Sequence, residues 1–167
     1  MPEPAVDARR MIETLARHGV LYVVVGGFAV ELWEVAIPPT ADVDITPAMS
    51  IENLERLAAA LNELGAGLRS GAEVIDIPSG FTAQNIVDMR VLNLATDAGP
   101  LDLTVMPAGT DGYDDLARSA SDLEYQGVVV PTASLRDVAR SKEAAGRAKD
   151  IRTLPAIHAH LDRMESG

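Results

Sequence analysis

Apolar and polar positions recur along this chain with two different periods, and the changes of period mark its elements. Over residues 5–18, Met11, Ile12, Leu15 and Ala16 fall on one side of a helical projection, and Gly19 follows as a natural stop. The spacing predicts an opening helix. Residues 21–25 are a short β-branched apolar run ending in Gly26-Gly27, the pattern of a buried strand entering a tight turn. Residues 28–33 read as helix again. Pro38 and Pro39 cannot extend that helix, because each lacks an amide donor and restricts the residue before it. Residues 41–45 form a second strand, whose alternation sets Val43 on one face and Asp42 and Asp44 on the other. Ser50 then caps a helix carrying Ile51, Leu54, Leu57, Ala58, Leu61 and Leu64 at helical spacing up to Gly65.

Residues 65–84 lack clear periodicity and read as a loop with a short strand at 73–77. Two strand-like runs, 88–95 and 101–106, are joined by Thr96-Asp97-Ala98-Gly99-Pro100, a connection with hairpin-turn residues. A further hairpin or edge strand is expected over 123–130. After Pro131 the composition shifts to helix formers, over 134–144 and 147–164, with Gly146 as the break between them. There is no internal repeat and no linker long enough to divide the chain. The layout predicts an α/β (α+β) protein: a small mixed sheet flanked by helices, with further helices at the C-terminus. One domain over 1–167 is expected, with the sheet core in 1–110 and a mainly helical part in 111–167.

Composition narrows the chemistry. The absence of cysteine excludes a disulfide framework, a thiolate nucleophile and cysteine-ligated metal sites, and it suits a reducing cytoplasm. Met1-Pro2-Glu3-Pro4 lacks the basic and apolar regions of a leader, and no apolar run is long enough to span a bilayer, so no membrane partner is expected. The formal charge of −11 disfavours broad adhesion to nucleic acid. Between Arg136 and Arg152, however, six basic side chains oppose three acidic ones, leaving +3 there and −14 elsewhere. A phosphate-rich partner would have to meet that window.

The leading constellation is Gly26-Gly27, then Thr40-x-Asp42-x-Asp44, then Asp102. Residues i and i+2 of a strand point the same way roughly 6.6 Å apart, so two short carboxylates can converge on one hard cation. Magnesium suits such an oxygen-rich set, with manganese as the alternative. In residues 101–105 alternation buries Leu101, Leu103 and Val105 and turns Asp102 and Thr104 the other way, offering a third carboxylate on a neighbouring strand. Three carboxylates can hold two magnesium ions about 3.5–4 Å apart, one activating the attacking hydroxyl and one neutralising a triphosphate leaving group. Asp102 would serve the hydroxyl side. Glu73, Asp76, Asp88 and Asp97 are alternatives for that third place. Gly26-Gly27 between strand and helix lets the backbone approach a phosphate.

The run VVVGGFAVELW...PPTADVDI resembles the signature of minimal nucleotidyltransferases of the DNA polymerase β-like superfamily, related to the AbiEii and MenT toxins of bacterial toxin–antitoxin systems. GPLDLTVMP is similar to that family's strand with the third aspartate, and SLRDVARSKEAAGRAKDIRTL to its closing Lys, Gly-Arg and Lys-Asp pattern. The resemblance spans residues 20–155, with motifs filling part of it. It implies a polymerase β-like nucleotidyltransferase fold, metal binding by Asp42 and Asp44, and nucleotide contact at Gly26, Gly27 and Thr40. It further implies a phosphate-neutralising Lys142 and a place for Asp150 in or behind the active site. Arg147 can bind phosphate bidentately. Two positions depart from the pattern: Gly27 stands where members often have Ser, and Pro38 where many carry Arg. Lys142 and Asp150 are eight positions apart, so a straight helix would not put them on one face, and a break at Gly146 would help.

The reaction this implies moves a nucleotide from an NTP to an acceptor hydroxyl. By resemblance, the acceptor is the tRNA 3′ end and the role that of a toxin with a cognate antitoxin. An aminoglycoside-like small molecule is the rival acceptor, suited to the acidic remainder of the chain. A non-catalytic antitoxin or scaffold of the same fold is the third reading. His158-x-His160 has no carboxylate cluster nearby and is expected at the surface. His18 is expected at a helix C-terminus, and Trp33, Phe28 and the methionines in the core.

Overall fold

The computed structural model describes residues 6–166 and divides them into seven helices and eight strands. The first helix, α1 (Ala8–Arg17), begins where the Asp7 side chain accepts from the Arg10 amide and ends at His18. Its expected start at residue 5 lies outside the described residues. Met11, Ile12 and Leu15 face inward as the spacing predicts, but Ala16 is exposed. Thr14 is buried in its place, because its hydroxyl returns to the Arg10 carbonyl at 2.8 Å and so needs no water.

All four residues of β1 (Tyr22–Val25) are buried, so both faces of this strand are covered. It runs directly into α2 (Gly26–Leu32), antiparallel to β2 (Val43–Pro47) and parallel to β8 (Val128–Thr132). Asp42 lies just before β2 rather than within its ladder. Between β2 and the next strand, α3 (Ile51–Glu63) is capped by Ser50 and buries Leu54, Leu57, Ala58 and Leu61, while Ile51 is exposed.

Residues 65–84 hold the expected short strand, at 73–75, and more structure than a loop around it. They hold a hairpin of β3 (Gly67–Ser70) and β4 (Glu73–Ile75), then α4 (Ala83–Val87), whose Thr82 and Asn85 form a reciprocal cap. The four residues of β3 and the five of α4 are too few to show a period, so the pattern predicts only the strand at 73–77. Asp88 ends α4, and β5 begins at Val91 and runs to Thr96, hairpinned to β6 (Gly99–Thr104). After α5 (Tyr113–Ala117), β7 (Ser121–Tyr125) and β8 form the last hairpin, followed by α6 (Leu135–Ala145) and α7 (Ala148–Ser166). Residues 111–166 thus supply two strands as well as three helices.

The strands form one mixed sheet in the order β4-β3-β5-β6-β2-β1-β8-β7. β2 and β6 pair in parallel, with Asp44 opposite Asp102. Around the sheet α1 packs on α3, while α2 packs on α6 and α6 on α7. Among the described residues no helix is long and apolar enough to cross a membrane.

Asn53 locks the two strands that carry the leading motif. This buried side chain accepts from the Leu21 amide at 2.7 Å and donates to the Leu21 and Ala48 carbonyls at 2.9 and 2.8 Å, tying α3 to the start of β1 and the end of β2. Asn53→Ala takes these bonds from the Leu21 amide and the Ala48 carbonyl, while the Leu21 carbonyl keeps the Ala48 amide. Urea unfolding is expected to show a loss of roughly 2–4 kcal/mol, against about 0.5 kcal/mol or less for the exposed neighbour Glu55→Ala. A loss for Asn53→Ala no larger than that for Glu55→Ala would show that the lock carries no weight.

Candidate active site

Asp42, Asp44 and Asp102 converge. Each offers an oxygen, and the three oxygens lie within 4.8 Å of one another. The parallel register of β2 and β6 supplies Asp44 and Asp102, and the bend before β2 brings in Asp42. Thr40 orients Asp42, its hydroxyl donating to Oδ1 at 3.0 Å, and Glu31 of α2 in turn accepts from the Thr40 amide. Gly26 has φ +67, and a Cβ there would meet Asp44 Oδ2 at 2.3 Å. The glycine therefore serves two ends: the backbone needs the left-handed region, and the carboxylate occupies the space of a side chain.

Like charges at this separation and partial burial resist ionisation. Burial first, then the charges of Asp42 and Asp102, push the Asp44 carboxyl up to about 7, while Lys149 pulls the other way. Burial and the hydrogen bond with Asp42 push Asp102 up to about 6, against the pull of Arg69. An all-oxygen set that shares so much negative charge fits a hard divalent cation, which would take the place of the protons.

A second ionic group faces the triad. Asp150 has a side chain only 1 % exposed, and it accepts from Lys142 Nζ at 3.2 Å and Arg147 Nε at 2.7 Å. Burial alone would raise Asp150, but the bonds from Arg147 and Lys142 outweigh it and hold the carboxyl below its ordinary range. The break at Gly146 is present: at φ +63 it ends α6 in the left-handed conformation, α7 begins at Ala148, and Asp150 meets Lys142.

A cleft of about 380 Å³ joins the two groups. Gly26, Asp42, Asp44, Asp102, Lys142, Arg147 and Asp150 all line it; Gly27 and Thr40 stand behind the carboxylates instead. The structure also places Asn93, Asp137, Ser141 and Lys149 on its wall. Lys149 belongs to the basic window and to the closing Lys-Asp pattern; the other three carry no signal of a cleft position, because a cleft wall is drawn from elements distant in the chain. Arg69, bonded to Asp102 at 2.8 Å, was hidden within the segment read as a loop.

The alternatives for the third carboxylate, Glu73, Asp76, Asp88 and Asp97, are exposed. His158 pairs at the surface with Glu143, and His18 caps α1 beside Glu63. Phe28 packs edge-on to Tyr125, and Trp33 donates to the Ala133 carbonyl, so neither reaches the cleft. Met11 is buried as expected, but Met89, Met106 and Met164 are exposed. The basic window is largely spent on internal pairs: Arg136 with Glu165, Arg140 with Asp115 and Asp137, and Lys142 and Arg147 with Asp150. Lys149 and Arg152 have no such partner among the described residues.

The chain matches no protein-family model and no curated protein sequence. Solved structures do match. LnuA, a lincosamide antibiotic adenylyltransferase solved with lincomycin bound, superposes with a TM-score of 0.64 at 13 % identity, over 94 % of this chain and 99 % of that one. The fold is that of the nucleotidyltransferases. ANT(2″)-Ia, solved with adenylyl-2″-tobramycin, gives 0.59 at 14 % identity over 92 % and 87 %. A candidate nucleotidyltransferase of Thermotoga maritima gives 0.58 at 17 % over 89 % and 88 %. The expected mixed-sheet nucleotidyltransferase architecture is thus observed across nearly the whole chain.

Two outcomes follow from the triad of this nucleotidyltransferase fold. Gly26→Ala forces a methyl group against Asp44, so calorimetry should show at least a tenfold loss of Mn²⁺ affinity with the fold retained by circular dichroism; wild-type affinity would refute the crowding. The second concerns Asp44, whose carboxyl is raised in the fold to about 7 from an ordinary 3.8. Its ionisation therefore opposes folding fully above pH 7, and the opposition fades as the pH falls towards 4. In chelator-treated protein Asp44→Asn should raise stability at pH 8 by roughly 1–3 kcal/mol, and by less at pH 5. Urea unfolding at both pH values reads this, and a gain larger at pH 5 would contradict it.

Proposed function

We propose that this protein is a metal-dependent nucleotidyltransferase that moves an NMP from an NTP to an acceptor hydroxyl. The observation that carries the reading is the meeting, in one cleft, of three mutually repelling carboxylates with Lys142, Arg147 and Lys149. Asp42, Asp44 and Asp102 would hold the cation, magnesium by preference and manganese as a substitute. When bound, the metal supplies charge neutralisation at the phosphates and acidifies the attacking hydroxyl.

The protein's own groups do the positioning. Thr40 and Glu31 hold Asp42 in place, and Asp102 would accept the proton of the acceptor hydroxyl. Lys142 is 12 % exposed and anchored on Asp150, so it presents a charge fixed in advance to a triphosphate. Arg147 and Lys149 add to that positive charge, and Gly26 lines the same cleft. Such preorganised charge is the main catalytic resource in phosphoryl and nucleotidyl transfer, where little covalent chemistry falls to the protein.

For the acceptor we favour a small hydroxyl-bearing molecule. Support comes from the internal pairing of the basic window, which leaves little unpaired cationic surface for RNA on a chain of net charge −11. The named antibiotic ligands of LnuA and ANT(2″)-Ia point the same way. The second reading, transfer to the tRNA 3′ end by a toxin with a cognate antitoxin, draws on exposed Lys149 and Arg152, which have no carboxylate partner among the described residues.

Each labelled NTP should be incubated with magnesium and either total tRNA or a panel of aminoglycosides and lincosamides. Label is expected in the small-molecule panel, and Asp42→Asn and Asp44→Asn should each lower it by roughly 100-fold or more. Label in tRNA alone would move the assignment to the second reading. Equal activity in the wild type and both variants would sink the enzyme reading and favour a non-catalytic antitoxin or scaffold.

A further inference from the structure

Asp102 differs from its two partners in having a cation bonded to it. Arg69 Nη2 donates to Asp102 Oδ1 at 2.8 Å, and Nη1 of the same guanidinium donates to the Leu94 carbonyl at 3.2 Å. Among the described residues neither Asp42 nor Asp44 has an ion pair. The contact crosses the sheet: Arg69 is on β3 and Asp102 on β6, with β5 between them. With side-chain exposures of 28 % and 16 %, the pair is better shielded than an outer bridge such as Arg9–Glu13, at 51 % and 46 %. Water therefore competes less for it.

Two anchors fix a planar guanidinium, and one of them is the backbone of an interior strand. Arg69 thus cannot simply follow Asp102 if that side chain rotates. Without this hold, repulsion from Asp42 and Asp44 would drive the Asp102 carboxylate into a rotamer turned out of the triad. Arg69 is not among the residues lining the cleft, so it acts on the site through Asp102.

We propose that Arg69 is a positioning residue, which holds Asp102 turned into the triad so that the third carboxylate is available to the acceptor-side cation and hydroxyl. The inference rests on the nucleotidyl-transfer reading above, and it makes the β3–β4 edge hairpin part of the active site. Groups that orient a metal ligand in this way are typically worth 10–100-fold in metal affinity or activity.

The test compares wild type, Arg69→Ala and Arg69→Lys by Mn²⁺ titration with electron paramagnetic resonance, in the presence of a non-hydrolysable NTP analogue, alongside steady-state kinetics. Wild type should bind two Mn²⁺ ions. Arg69→Ala should keep one at wild-type affinity and bind the other 10–100-fold more weakly, with kcat down by a similar factor and KM for the NTP within twofold. Arg69→Lys, which restores one bond to Asp102, should recover part of both losses. Should Arg69→Ala not fold, Arg69→Gln takes its place in the comparison. A second Mn²⁺ bound as tightly as in wild type, or more tightly, would overturn the proposal, as would equal damage in the Ala and Lys variants with a raised KM. Mn²⁺ binding is read without turnover. A wild type that binds two ions but transfers nothing would therefore sink the proposed reaction, and Arg69 would still be judged on the second ion.

Discussion

The parallel pairing of β2 with β6 forces Asp44 and Asp102 side by side, and the bend before β2 adds Asp42 to the same spot. Three negative charges in a half-buried place oppose one another, and most of the local structure can be read as the containment of that repulsion. Gly26 gives up its side chain to make room for Asp44, Thr40 and Glu31 hold Asp42, and Arg69 meets Asp102. Such an arrangement destabilises the metal-free fold. Its persistence is intelligible where a cation is to be held, since a site already relaxed without the ion would gain less from it.

Asp150 shows the opposite solution with the same side chain. It is more deeply buried than any of the triad, yet Lys142 and Arg147 keep it ionised, whereas Asp44 is pushed up to about 7 by burial and like charge. Burial thus acts in the same direction at both sites, and the sign of the nearest charges decides the outcome. The buried carboxylate also does mechanical work. It binds α6 to α7 across the Gly146 break and fixes the Lys142 ammonium at the cleft instead of leaving it on a freely moving stem.

The cleft therefore has an anionic floor built by the sheet and a cationic wall built by the last two helices. On the proposed function, an acidic chain would meet a polyanionic substrate at that wall, while other cations of the basic window are used in pairs such as Arg140 with Asp115 and Asp137. A fold of this kind can serve many acceptors, so the fold alone does not choose between those weighed above.

Much of this was legible without coordinates, because it depends on local geometry. Alternation in residues 42–45 and 101–105 placed three aspartates facing away from apolar neighbours, and Gly146 announced a break; Gly26-Gly27, expected as a turn after the buried run, instead opens α2. Asp42 stood just outside the ladder, but the face it occupies was right. What tertiary structure alone decided was which distant elements meet. Of the edge hairpin only β4 was expected; β3 was too short to show a period, so Arg69 could not be assigned a strand, let alone a contact with a residue on β6. The pairing of Arg136, Arg140 and Arg147 was equally invisible, so a window that counts as +3 along the chain proved to be mostly neutralised in space. Backbone periodicity is a property of neighbours in sequence and can be read from residue order. Charge compensation and site closure depend on distances between strands and helices far apart in the chain, and only the packed sheet sets those.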